Sequence, residues 1–148
     1  MPEISRSALL PYPAQFMYDI VNQVESYPEF LPWCGGARLH QADANSMEAS
    51  IQISVAGLNQ WFKTRNTMIA GKSIEIQLLD GPFKRLQGSW HFTPLTDEGC
   101  KIELVLQFEF KRGLAAAVIA PAFTRIANTM VDSFCERARD LHDRQNLD

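Results

Sequence analysis

Charge of one sign, paired cysteines and long apolar runs are all scarce in this sequence. Across 148 residues, 14 Lys and Arg stand against 17 Asp and Glu, a formal charge of −3. Proteins that grip nucleic acid through phosphates carry net positive charge or a dense basic stripe. DNA binding is therefore not expected. Local basic pairs remain, Lys63 with Arg65 and Lys84 with Arg85. They read either as solvated strand faces or as a focused RNA or partner contact. The three cysteines, Cys34, Cys100 and Cys135, are odd in number and far apart, which gives no disulfide framework and points to a reducing compartment. No Cys or His spacing suits zinc, so no metal is expected and the thiols read as small buried hydrophobes. The start, Met1 to Arg6, lacks the charged-then-apolar pattern of a signal peptide. The uncharged stretch 113–124 is too short to span a bilayer. The expectation is a soluble, cytoplasmic protein, with transient contact at the surface of the inner membrane left open.

Apolar residues make up 46% of the chain and charged residues 21%, ordinary values for one globular domain spanning residues 1–148. Residues 4–10 read as a first strand, ended by Pro11 and Pro13. Pro13 suits the start of a helix. Phe16, Met17, Ile20, Val21 and Val24 then recur at helical spacing, which predicts a helix over 14–24. Residues 27–33 follow, with three aromatics and two prolines that break any long helix.

From Ala37 the period changes to two, with a strand expected over 37–42. Met47, Ala49, Ile51, Ile53 and Val55 alternate with polar residues, as in a strand with one dry and one wet face. Residues 57–60 read as a turn. Strands are expected over 61–70, from about 73, around 86–92 and over 100–110, with turns at Gly71-Lys72, Asp80-Gly81-Pro82 and 96–99. After Gly113 the helical period returns: Ile119, Phe123, Ile126, Met130, Phe134, Ala138 and Leu141 mark one face. A helix over 114–141 would be roughly 40 Å long, and Pro121 should kink it or mark where its main part begins.

Short turns imply antiparallel neighbours, and each strand has an apolar face to cover. Only one long helix is available. The fold class is therefore α+β: a curved antiparallel sheet of about seven strands wrapped around a long C-terminal helix, enclosing an apolar cavity. Gly88 inside a strand marks either a bend or room for Trp61 or Trp90. An empty cavity of 300 Å³ would cost on the order of 7 kcal/mol, so the cavity is small or holds a ligand. Phe62, Trp90, Phe92, Phe108 and Phe123 are expected to line it, with Ile126 and Met130 from the helix. Phe30, Leu31 and Trp33 either plug one end or form an entrance, with Trp33 loosened by Gly35 and Gly36. Residues 113–124 read as a buried helix start or as a movable apolar gate. Thr64 and Asn66 share a face with Phe62 and Met68. If that face is inward, the two are buried polar groups able to bond a ligand carbonyl; a slip of one residue would turn Trp61, Lys63 and Arg65 inward instead.

Several strings span nearly the whole chain in order: Pro2-Glu3-Ile4-Ser5-Arg6, Tyr27-Pro28-Glu29-Phe30-Leu31-Pro32-Trp33-Cys34, Lys63-Thr64-Arg65-Asn66, Asp80-Gly81-Pro82-Phe83-Lys84-Arg85-Leu86-Gln87-Gly88-Ser89-Trp90, Phe92-Thr93-Pro94-Leu95 and Phe108-Glu109-Phe110. Together they resemble the coenzyme-Q-binding START-like family of the polyketide cyclase/dehydrase superfamily, whose architecture is the helix-grip fold. The resemblance implies two functions. One is binding of ubiquinone or a related polyprenyl lipid in support of respiratory electron transport. The other is a toxin-like block of ribosomal subunit association, for which Lys63, Arg65, Lys84 and Arg85 are the first candidate contacts. No cofactor is expected beyond such a bound lipid. The histidines, His40, His91 and His142, sit in no nucleophile motif, and no general acid and base stand out, so an enzyme is not expected.

Overall fold

A computed structural model describes residues 3–145 of the chain. Pro2 of the first string and the side chains at 114 and 115 within the gate segment lie outside the described residues. The elements in order are β1 (Glu3–Leu10), α1 (Ala14–Asn22), a 3₁₀ segment (Val24–Glu29), β2 (Cys34–Ala42), β3 (Ser46–Val55), β4 (Leu58–Ile69), β5 (Ser73–Asp80), β6 (Phe83–Thr96), β7 (Gly99–Phe110) and α2 (Leu114–Gln145). The strands form one curved antiparallel sheet in the order β1-β7-β6-β5-β4-β3-β2. Period-two sequence and tight turns produce it: from β2 to β7 each strand pairs with its successor, and β1 closes onto β7. The sheet curves over α2, as the alternation led one to expect, and this is the helix-grip arrangement that the resemblance implies.

Boundaries differ from the sequence reading where local geometry intervenes. The β3–β4 turn is Ala56-Gly57, with φ of 52° and 79°, so β4 starts at Leu58 and residues 58–60 are strand. Helix α1 stops at Asn22 because the chain turns at Gln23 (φ −85°, ψ 70°). Val24 then opens the 3₁₀ segment, which accommodates Pro28. Strand β2 begins at Cys34, three residues early. Gly35 and Gly36 are therefore strand residues and do not loosen Trp33. Their missing side chains make room: a Cβ on Gly36 would lie 3.0 Å from Trp61 Cη2. Gly88 likewise answers to packing, but not against either tryptophan; a Cβ there would lie 2.8 Å from Leu106 Cδ1 and 3.0 Å from Val105 O. Helix α2 runs unbroken through Pro121 to Gln145, about 48 Å at 1.5 Å per residue.

The core divides into two clusters. One gathers α1, the 3₁₀ segment and the C-terminal half of α2 around Phe134, whose ring meets Tyr27, Phe30 and Trp90 at 5.3 Å each. The other lies under the N-terminal half of α2, where Phe123 meets Phe83, Phe108 and Phe110. Trp33 and Ile51 pack against both.

Candidate functional site

Between the two clusters lies a cavity of about 70 Å³. Strands β3 and β4 give Ala49, Ile51, Phe62, Thr64 and Asn66. Strands β5, β6 and β7 give Ile76, Leu86, Trp90, Leu104 and Leu106. Helix α2 closes it with Phe123 and Met130, and Val24, Tyr27 and Trp33 cap one end.

Strand β4 answers the question of face. Phe62, Thr64, Asn66 and Met68 are all buried, whereas Trp61 is 37% exposed. Thr64 and Asn66 are, among the described residues, the two buried polar side chains. The Thr64 hydroxyl donates to Asn66 Oδ1 at 3.2 Å. The Asn66 NH₂ finds no partner among the described residues, so its two N–H donors are left to an otherwise apolar space. The cavity is electrically neutral. Its one titratable group, Tyr27, donates its hydroxyl to Val21 O at 2.5 Å, and burial pushes that phenol far above its ordinary pKa of 10.0, with Cys34 adding to the shift. Beneath the cap, burial also raises the Cys34 thiol.

Strands β2 to β7, the cavity and most of α2 fall within the span of one family model. The model for "polyketide cyclase / dehydrase and lipid transport" matches residues 10–135. The chain belongs to that family. Among similar proteins, "Ribosome association toxin RatA" of Pseudomonas aeruginosa is 47% identical over 139 residues, covering 94% of this chain and 96% of the relative. The protein of the same name from Escherichia coli K12 is 45% identical over 142 residues, covering 96% and 90%. More distantly, "Coenzyme Q-binding protein COQ10 homolog B, mitochondrial" of Xenopus laevis is 25% identical, covering 98% of this chain and 61% of the relative. A START superfamily protein from Mycobacterium smegmatis superposes with a TM-score of 0.78 at 17% identity, covering 94% and 98%, which shows the shared fold.

Within this polyketide cyclase and lipid-transport fold, seven of the residues named from sequence meet at the cavity: Trp33, Phe62, Thr64, Asn66, Trp90, Phe123 and Met130. Six do not reach it. Phe30 packs on Tyr27 and Phe134 with Arg137 4.9 Å over its ring. Leu31 and Met68 are buried in the first cluster, and Phe92 packs against Tyr18 and Trp90 there. Phe108 lies behind Phe123 beside Phe110. Ile126 is half-buried off the lining. A periodic face identifies an inward side but not the depth at which the cavity sits. For the same reason the sequence reading missed Val24, Tyr27, Ala49, Ile51, Ile76, Leu86, Leu104 and Leu106. For Ala49, Ile51, Leu104 and Leu106 the signal was the alternation of β3 and β7, and for Ile76 and Leu86 the apolar faces of β5 and β6; what was lacking was the place where the two clusters part.

The four candidate partner contacts stand on the outer side of the sheet. Arg65 pairs with Glu48 at 3.1 Å and Lys84 with Glu109 at 3.9 Å. Lys63 and Arg85 have no carboxylate at ion-pair distance among the described residues. His40 and His91 are exposed, His40 Nε2 lying 2.7 Å from Ser50 Oγ, and His142 packs 5.0 Å from Tyr12. None of the three lines the cavity. Among the described residues no helix is long and apolar enough to cross a membrane.

Proposed function

We propose that this chain binds one ribosomal subunit and hinders its joining to the other. The observation that carries the reading is identity of 47% and 45%, over 94% and 96% of the chain, with proteins named for ribosome association. The geometry supports it by what the interior offers. A cavity of about 70 Å³ falls well below the ~300–1,000 Å³ of typical ligand pockets, which leaves the surface to act. A non-catalytic role is part of the proposal. General acid–base chemistry needs a titratable group within reach of the reacting atoms, and the cavity wall supplies only a phenol committed to Val21 O. Action on ribosomes places the protein in the cytoplasm. Sucrose-gradient sedimentation of ribosomes with the purified protein tests the reading: free subunits should rise at the expense of joined ribosomes, and an unchanged balance overturns it.

A second reading, storage of ubiquinone or a similar polyprenyl lipid in support of respiration, draws on one observation. An unpaired Asn66 NH₂ in an apolar wall suits a ligand carbonyl, a bond worth about 1 kcal/mol. Entry of such a ligand requires Phe123 and Met130 to move aside with the N-terminal half of α2. Gly113, at φ 151° with open space around it, is the natural hinge for this gate, and Val118 beside it is 45% exposed, a surface for brief membrane contact. Solvent extraction of purified protein followed by mass spectrometry is the test. Absence of any prenylated quinone, with no rise in Tm on adding a short-chain one, removes this reading.

A further inference from the structure

The outer face of the sheet carries a large aromatic ring where a solvated strand calls for polar residues. Trp61 stands there beside Lys63 and Arg65. Its indole reaches across β3 toward Gly36, which pairs with Gln52, which in turn pairs with Trp61. The Arg38 guanidinium sits 4.6 Å from the ring centroid. Arg38 and Lys63 fall on one rung of the sheet, joined through Ser50. Asp80 lies opposite Lys63 but accepts the Gly81 N–H at 2.9 Å. Like Lys63 and Arg85, Arg38 has no carboxylate at ion-pair distance among the described residues.

Across β5 lie two more cations, Lys84 and Arg85, with one carboxylate between them: Glu109 pairs with Lys84 at 3.9 Å and stands opposite Arg85 in the register. Pairing of β5 with β6 ends at Gln77 and Gln87, and the parted strands leave an open cleft of about 310 Å³ edged by Lys84, Arg85 and the two glutamine amides. Glu75 and the Gln107–Glu3 pair bound this area on the far side.

We infer that this face binds RNA: an unpaired base stacks on Trp61 beside Arg38, and the flanking phosphates lie against Lys63 on one side and Arg85 and Lys84 on the other. Indole and guanidinium planes are the surfaces on which splayed bases stack, and every base offers such a face. A chain of net charge −3 can still hold phosphates here, since exposed charges act over about 8 Å at physiological salt and remote acids are screened. A protein partner would want a broader apolar centre. Here the apolar side chain that β5 adds is Leu79, 37% exposed, at the register shift between the Lys63–Asp80 and Thr64–Leu78 pairs. The inference rests on the ribosome-directed reading and names the chemistry of its contact.

Fluorescence anisotropy with a labelled single-stranded RNA 12-mer and with protein-free ribosomal RNA, run beside the gradient assay, tests it. Trp61→Ala should weaken RNA binding by at least about fivefold, while Trp61→Phe keeps most of it and guards against a folding artefact. Lys63→Glu with Arg85→Glu should weaken binding at least about tenfold and flatten the salt dependence of what remains. Both changes should lose the gradient effect with Tm falling by no more than about 4 °C. If wild type shifts the subunit balance and these variants shift it equally, the RNA inference is overturned while the ribosome reading stands. If wild type shifts nothing, the ribosome reading fails first. A photo-crosslinker at position 61 that captures ribosomal RNA supports the inference; capture of a ribosomal protein instead overturns it.

Discussion

Strand β4 presents two faces that depart from ordinary strand chemistry in opposite directions. Its inner face puts Thr64 and Asn66 among apolar side chains at 5% and 9% exposure, and its outer face puts an indole in water. Each departure has a local remedy. Inside, the two polar groups partner each other and leave the amide NH₂ over. Outside, Arg38 covers part of the ring and Gly36 gives it somewhere to lie. A strand built only for stability would have apolar residues inside and polar residues outside. The exceptions on both sides are where function is to be sought, and substitutions separate the two faces by what each one disturbs.

The largest effect should come from the inner face. Phe62→Ala removes a buried ring that meets Phe83 at 5.4 Å and should cost about 3–5 kcal/mol, read as a lower midpoint in urea unfolding. Thr64→Val should cost about 1–3 kcal/mol by stranding the Asn66 carbonyl, whereas the double change Thr64→Val with Asn66→Leu should return to within about 1 kcal/mol of wild type, because both partners are gone. If the double variant is no better than the single one, the pair is not the unit described here. Trp61→Ala on the outer face should cost only about 0.5–1 kcal/mol, the worth of an exposed cation–π contact; a loss as large as that of Phe62→Ala would erase the contrast. Smallest is a control away from both faces. Asp43 accepts the backbone N–H groups of Asn45 and Ser46 at 2.8 Å each, which holds its carboxyl below the ordinary 3.8. A lowered acid stabilises the fold above its unfolded pKa, and that contribution is lost as pH falls through the folded value. The Tm gap between wild type and Asp43→Ala should therefore be full at pH 7 and close in acid below pH ~3.8.

Much of this was legible in the residues. Alternation over 47–55 and 100–110, with a helical face from Ile119 to Leu141, was enough for a sheet wrapped on a helix. Alternation on β4 named two sets of residues but not which one faced inward, because a period of two is blind to a slip of one. Gly35 and Gly36 read as flexibility and turned out to be clearance for neighbouring side chains. The cavity's size was beyond reach, since it depends on how Phe123, Met130 and Trp90 pack. It emerged near 70 Å³, a void costing roughly 2 kcal/mol and not the 7 kcal/mol of a full ligand chamber.

Arg137 is 12% exposed, pairs with Glu29 at 3.1 Å and lies over the Phe30 ring. It latches the 3₁₀ segment to the C-terminal half of α2, so that end should breathe as one piece. Nearer Gly113 the ties thin out: Arg6 of β1 donates to Asn128 Oδ1 at 2.6 Å, and among the described residues of α2 before it, 116–124, no side chain makes an ion pair or hydrogen bond to another element. Amide hydrogen exchange should thus be lopsided along a single helix, slow around residues 130–140 and fast around 116–124. Cutting the latch with Arg137→Ala should even out that gradient.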